Sequence, residues 1–182
     1  AKHDIVARVD ADDINHKLRF NKQINLLKKY KIDILGTNTY EIINNKKYLR
    51  KMPIAPNFFN LLMFNPINHM TVMYNRKKIL SLGGYPNVKY KEDYALWILA
   101  SFKHYKFKNI QKPLVYSNID NNTSSRRKSL SSLLSEFLIF KLFVSKNFLL
   151  FPISLMILIF RVFFLLIPNP IYLFVKKRIS GY

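Results

Sequence analysis

Twenty residues, Phe148 to Ile167, run together with only Pro152, Ser154 and Arg161 to break their apolar character. Such a stretch must be covered by other protein, lie in a membrane surface, or cross a bilayer, whose core takes about 20 helical residues. Arg161 argues against crossing, because near the middle of an isolated spanning helix it costs roughly 2.5 to 3.5 kcal/mol on insertion scales. Ser154 lies seven residues earlier and shares its helical face, and a polar edge on an apolar helix predicts one that lies in the interface. Pro168 and Pro170 then interrupt the chain before Ile171-Tyr172-Leu173-Phe174-Val175 and the basic cluster Lys176-Lys177-Arg178. That pattern suits a second short interfacial helix near anionic headgroups. The expectation is a monotopic segment, with a single span and a buried helical hairpin as the alternatives.

The charge distribution points the same way. The chain carries a formal net charge of +20. From Tyr94 to Tyr182 there are 13 Lys/Arg against two acids, Asp120 and Glu136, in the same half as the apolar run. Lys and Arg beside such a run favour an anionic membrane surface over a nucleic-acid groove, so nucleic acid is not an expected partner. The absence of cysteine rules out disulfides, thiolate metal sites and a cysteine nucleophile, leaving chemistry to oxygen and imidazole groups.

The first two-thirds alternates strand and helix. Asp4 to Val9 reads as a buried strand and Ile14 to Tyr30 as an amphipathic helix; Ile32 to Ile43 reads as a strand entering a hairpin at Asn44-Asn45. A short helical run at Phe58 to Phe64, a strand at Thr71 to Tyr74, a break at Gly83-Gly84-Tyr85-Pro86, a helix from Glu92 to about Phe102 and a strand near Leu114 to Tyr116 follow. This order predicts an α/β domain over residues 1–119. A polar connector at 120–132 then leads to apolar and basic membrane-associating helices at 133–182. The chain opens directly on a strand-like segment, which reads as the middle of a larger domain.

Three of the ten acidic residues fall in Asp10-Ala11-Asp12-Asp13. Carboxylates at i and i+2 on an extended segment point to one side, so Asp10 and Asp12 suit a hard divalent cation, Mn²⁺ or Mg²⁺, shared with phosphate oxygens. Asp12 or Asp13 would equally serve as N-cap of a helix starting near Ile14. A second acidic pair, Glu92-Asp93, opens the helix that carries Trp97, where it also complements the helix dipole.

The ordered set Arg8-Val9-Asp10-Ala11-Asp12-Asp13, Gly83-Gly84-Tyr85, Glu92-Asp93-Tyr94 and Leu96-Trp97 resembles the family 2 glycosyltransferases of GT-A fold, with their Asp-X-Asp motif, Gly-Gly-Tyr turn and Glu-Asp pair. The likeness is to bacterial enzymes of capsule, exopolysaccharide and lipopolysaccharide synthesis, and it extends to Arg19 and Gln23. The resemblance implies a Rossmann-like nucleotide-diphospho-sugar transferase sheet, here partial. The family's first strand and uracil-binding acids lie about ninety residues upstream of the motif, close to the size of half an ordinary domain. By the same resemblance Asp10 and Arg8, with Gly83 and Gly84, would bind the nucleotide-sugar, and Asp12 the metal. Asp93 would be the general base, with Glu92 as its orienting neighbour or substitute, while Trp97, Tyr85 and His69 would meet the acceptor. Each has a plainer alternative: a core position for Trp97, a simple turn for the glycines, and a lone core or loop histidine for His69.

The implied reaction is inverting transfer of a sugar from a UDP-hexose or UDP-HexNAc donor to a lipid-linked or surface-polysaccharide acceptor at the cytoplasmic membrane face. The stretch Ser124 to Lys128 lacks the Gln-X-X-Arg-Trp of processive synthases, so one linkage per encounter is expected. Residues 1–182 alone are expected to be inactive. Two other classes remain: a Mg²⁺-dependent nucleotidyl or phosphoryl transferase, although no Gly-rich phosphate loop is present, and a non-enzymatic basic membrane-binding module.

Overall fold

The computed structural model describes residues 2–43, 45–118 and 130–166. The chain divides into two compact units, one of residues 1–85 and 96–119, the other of residues 86–95 and 120–182.

The first unit is built on a mixed sheet whose middle strand is β3 (Ile34–Ile43). Ile34 and Leu35 are fully buried, as a strand flanked on both sides requires. On one side β3 pairs in parallel with β6 (Phe107–Asn118). On the other it pairs antiparallel with β5 (Met73–Asn75) at its start and with β4 (Lys46–Arg50) at its end. β1 (Ile5–Ala7) adds to β5, and the two-residue β2 (Ile14–Asn15) adds to β6, giving the order β1-β5-β3-β6-β2. The sheet can press closely on its neighbours at Gly36, where a Cβ would stand 2.3 Å from Asn109 Oδ1. Asn109 in turn donates from Nδ2 to the carbonyls of Pro53 at 2.8 Å and Pro66 at 3.0 Å.

Helix α1 (Arg19–Tyr30) lays Leu27 on a core of Ile32, Leu35 and Met73, and ends at Lys31 in the left-handed region at φ 49°. The sequence places its start near Ile14, capped by an aspartate. Instead residues 14 and 15 extend to pair with Tyr116 and Val115, and the position before the helix is Leu18, with no side-chain cap. The capping role for Asp12 or Asp13 is therefore excluded. Helices α2 (Phe58–Met63) and α3 (Arg76–Leu80) are short, and each is capped by an asparagine, Asn57 and Asn75.

The second unit holds the start of α4 (Glu92–Phe102), whose later turns belong to the first unit, and the helices α5 (Leu130–Lys146) and α6 (Phe151–Leu166). A 3-10 turn, Phe148–Leu150, joins α5 to α6, and the short connection makes them packed neighbours. Helix α5 begins at Leu130, inside the stretch read as a connector. Its buried residues Ser132, Ser135, Glu136, Ile139 and Phe143 form one stripe. On α6 the inward stripe is Ser154, Ile157 and Arg161, whereas Met156, Ile159, Phe160 and Phe163 are exposed.

The polar edge of the apolar run thus faces inward, not toward headgroups as expected. Arg161 donates to Glu136 Oε2 at 3.2 Å, and Ser154 Oγ donates to the Leu150 carbonyl at 2.5 Å. Burying a guanidinium without a countercharge is prohibitive, so the one acid of α5 draws it in. Among the described residues no helix is long and apolar enough to cross a membrane. The expected second interfacial helix at 171–175, the cluster Lys176 to Arg178, and Arg126 and Arg127 lie outside the described residues.

Candidate active site

Sheet order sets the position of the acidic motif. β1 and β2 stand at opposite ends of the sheet, so the six residues between them, Arg8 to Asp13, must cross it. The crossing is pinned by the Arg8 amide, which donates to the Val72 carbonyl at 3.0 Å, and by a turn in which the Asp13 amide donates to the Asp10 carbonyl at 3.2 Å. Arg8 Nε also donates to Asp10 Oδ1 at 2.8 Å, which fixes one oxygen of Asp10. Asp12 is exposed.

Beneath the loop lies Arg19, with no exposed surface. Its guanidinium donates to Gln23 Oε1 at 3.0 Å, to the Arg8 carbonyl at 2.9 Å and to Asn15 Oδ1. Gln23 passes the tie onward, donating from Nε2 to the carbonyls of Leu35 at 3.0 Å and Thr71 at 2.9 Å. One buried side-chain pair thus joins α1, the middle strand, the turn before β5 and the entrance to the acidic loop. Burial lowers the Arg19 pKa to about 10, with Asp13 and Asp10 pulling it back up, so it remains charged at neutral pH.

Asp13 is half-buried, and burial raises its pKa above the ordinary carboxylate value. The charges of Asp10 and Asp12 push in the same direction, while a hydrogen bond from Ser117 and the charge of Arg19 oppose them. Its Oδ2 is buried and has no hydrogen-bond partner. An unpaired buried carboxylate oxygen beside two more carboxylates fits a hard divalent cation, which would favour the ionised form. Among the described residues no cluster of three or more His, Cys, Asp or Glu is arranged to hold a metal ion.

The three residues expected near an acceptor are brought together. His69 Nε2 lies 3.2 Å from the Tyr85 hydroxyl with ring centroids 5.4 Å apart, and the Trp97 ring meets His69 edge-on at 6.4 Å. Trp97 is fully buried, so its expected stacking on a sugar is corrected to a core role; the indole supports His69 from behind. Tyr85, 37% exposed, is the member of the trio with an open ring.

Gly83 and Gly84 take positive φ of 88° and 77° and close the end of α3, their amides donating to Leu80 and Ile79 carbonyls at 2.9 and 3.1 Å. A Cβ at either would meet no protein atom within 4 Å, and the positive φ is enough to favour glycine at both positions.

In the second unit Glu92 and Asp93 occupy the first turn of α4, with Asp93 8% exposed and Glu92 half-buried. The dipole of that helix favours their ionised forms.

No protein-family profile matches the chain. It is 29% identical over 144 residues to the amylovoran biosynthesis glycosyltransferase AmsE of Erwinia amylovora, covering 77% of this chain and 54% of that protein. It is 29% identical over 182 residues to a UDP-Gal:α-D-GlcNAc-diphosphoundecaprenol β-1,3-galactosyltransferase of Escherichia coli, covering 97% and 66%. The chain is a relative of bacterial surface-polysaccharide glycosyltransferases. An uncharacterized glycosyltransferase of Haemophilus influenzae is 31% identical over 148 residues. The fold agrees: the crystal structure of S. aureus TarS 1-349 with UDP superposes with a TM-score of 0.58 at 17% identity, over 87% of this chain and 46% of that one. The chain spans between about half and two-thirds of the length of these curated relatives.

The sequence marks Arg161 as part of the polar edge of the apolar run and Glu136 as one of two acids in the basic half, and singles out nothing at Lys91; in the structure Glu136 accepts from both Lys91 and Arg161. Tyr94 receives the other arm of Arg161 at 2.5 Å. A signal was available: Glu136 is a lone acid on one apolar helix, followed by the lone base Arg161 on the next. In a helix pair such singletons find each other.

Proposed function

We propose that this chain supplies the metal-binding and acceptor-activating parts of an inverting, non-processive glycosyltransferase. It would move a sugar from a nucleotide-sugar to a glycan or lipid-linked acceptor. The observation that carries this reading is the Arg8–Asp13 loop, which crosses the sheet on a buried Arg19 anchor and leaves the Asp13 Oδ2 oxygen buried without a partner. A UDP-hexose or UDP-HexNAc donor is supported by the UDP-Gal in the name of the E. coli relative and by the UDP and UDP-GlcNAc held in TarS crystals.

In this reading Asp12 would hold Mn²⁺ or Mg²⁺ with Asp13 beside it, and Asp10, fixed by Arg8, would face the ribose. The bound ion would offset the negative charge that grows on the diphosphate as the glycosidic bond breaks. Asp93 takes the proton of the acceptor hydroxyl as that oxygen attacks the anomeric carbon from the side opposite the diphosphate, which inverts the centre. Tyr85 offers its open ring to an acceptor sugar, with His69 holding its hydroxyl.

A membrane surface is the partner that suits the outer faces of α5 and α6. Leu134, Phe137 and Leu138 on one and Met156, Ile159, Phe160 and Phe163 on the other are exposed, in a chain of net charge +20. A lipid-linked acceptor is presented at such a surface, and the cytoplasmic face is where nucleotide-sugars are available. The test is acceptor-dependent release of UDP by the full-length enzyme that carries this chain, from a panel of UDP-sugars, with Mn²⁺ or Mg²⁺ and a diphospholipid-linked sugar in vesicles. Release that no acceptor stimulates would overturn the transferase reading.

A further inference from the structure

We propose that Glu136 and Arg161, one from each helix of the C-terminal hairpin, are positioning residues that set the place and charge of Asp93. The proposal rests on the reading of Asp93 as the base. It follows from where the hairpin's polar groups are spent. Ser135 Oγ donates to the Lys89 carbonyl at 2.5 Å, Glu136 Oε1 accepts from Lys91, and Arg161 Nη2 donates to the Tyr94 hydroxyl at 2.5 Å. The Arg161 guanidinium also lies over the Tyr94 ring at 5.1 Å. Lys89, Lys91 and Tyr94 bracket Asp93, so three anchors hold the four residues before it and the residue just after.

The charges close on themselves only with Asp93 included. Lys91 and Arg161 are two cations and Glu136 is one anion, which leaves a surplus of one positive charge in a buried setting. The Asp93 carboxylate acts on Lys91 electrostatically and brings the sum to zero. Burial lowers the Lys91 pKa, with Glu136 and Asp93 working against the fall. For Arg161 burial also pulls downward, but Tyr94 and Glu136 outweigh it and hold its pKa above the ordinary value. By the same interaction the Lys91 ammonium favours the Asp93 carboxylate, the form a base must have before it takes a proton.

Stability is a poor account of such a network. Desolvating three charges costs more than well-packed apolar side chains of the same volume would, and ion pairs of this kind can often be replaced by apolar groups without loss. Geometry is the better account, since a base misplaced by about 1 Å loses on the order of 100-fold in rate.

The experiment uses the full-length enzyme that carries this chain, with concentration taken from UDP titration so that rates refer to folded sites. Glu136→Gln and Arg161→Met are each expected to lower kcat by about 10- to 100-fold, leaving donor KM and UDP affinity within about twofold. Arg161→Lys should recover part of the loss, because it restores the charge without the two-armed contact. If the single variants do not fold, the double variant Glu136→Met/Arg161→Met removes one charge of each sign, leaves Lys91 to balance Asp93, and should unfold near the wild-type urea midpoint while kcat stays low. Normal kcat per UDP-binding site in the double variant would overturn the proposal and leave the network purely structural. Failure of the underlying reading looks different: Asp93→Asn would then transfer sugar at the wild-type rate, whatever the hairpin variants do.

Discussion

The acidic loop of the first unit and the helical hairpin of the second both bury an arginine, and they satisfy it in opposite ways. Arg19 is held by neutral acceptors, Gln23, Asn15 and the Arg8 carbonyl, while the nearby carboxylates Asp10, Asp12 and Asp13 remain turned to other work. Arg161 is held by an anion and a phenol, and that anion is shared with Lys91. The first arrangement leaves negative charge uncommitted, with a bare oxygen on Asp13. The second commits every charge to a partner. An uncommitted cluster suits a site that receives a cation and phosphates, whereas a committed one suits a frame that holds a reacting group still.

The largest effect that would break this comparison is at the base. Asp93→Asn should lower kcat by roughly 10²- to 10⁴-fold with donor affinity nearly unchanged, as expected when proton abstraction alone is lost. If UDP-sugar affinity, measured by calorimetry, falls in the same proportion, Asp93 binds donor and the division of labour between the two regions is wrong. Asp12→Asn should remove most metal-dependent turnover, because an amide is a weaker ligand and leaves the ion's charge unbalanced. A near-normal rate at low Mn²⁺ would break the metal assignment.

The two arginines also separate in stability. Arg19→Met strands Gln23 Oε1, Asn15 Oδ1 and the Arg8 carbonyl without their donor, and should cost about 3 to 5 kcal/mol in urea unfolding. The double variant Glu136→Met/Arg161→Met of the hairpin, which removes one charge of each sign, should cost far less. Equal losses would mean that both networks are simply structural. A smaller effect belongs to Tyr85: replacing it by alanine should raise acceptor KM roughly two- to tenfold, the range of one aromatic stacking contact, while Tyr85→Phe should change it little. Loss in both would assign the work to the hydroxyl and its contact with His69.

What the sequence discloses about these regions follows the range of the forces involved. Helix α4 runs from Glu92 to Phe102, as its apolar spacing and acidic first turn predict, because local pattern is enough to define it. Strand β3 and its antiparallel pairing with β4 are legible for the same reason. The start of α1 is not, since Ile14 and Asn15 are claimed by β6, a partner a hundred residues away. Strand β6 is longer than the apolar stretch at 114–116 because parallel pairing with β3 extends it back to Phe107, across an irregularity at Gln111 and Lys112. In α6 the periodicity correctly places Ser154 and Arg161 on one face, but only tertiary structure shows that this face meets Glu136. The acidic and Glu-Asp motifs were visible as motifs; their anchors, Arg19 below one and Glu136 beside the other, are long-range contacts.

The smallest expected effect tests whether the acidic loop is truly uncommitted. Burial, with Asp10 and Asp12 adding to it, raises the Asp13 pKa in the folded protein above its unfolded value. The folded state therefore binds more protons than the unfolded state between those two pKa values, so stability falls as pH rises through that window and the loss persists at neutral pH. Asp13→Asn removes the titration, and without metal it should be at least as stable as the wild type at pH 7, with the gap closing as pH falls below the unfolded carboxylate value. Mn²⁺ should reverse the order, because an ion that binds the ionised carboxylate stabilises the wild type and displaces its proton. Urea midpoints for both proteins at pH 4, 5.5 and 7, with and without Mn²⁺, give the answer. A wild type more stable than Asp13→Asn in the absence of metal would mean that the carboxylate already has the partner it needs, and the loop would then be a closed frame like the hairpin.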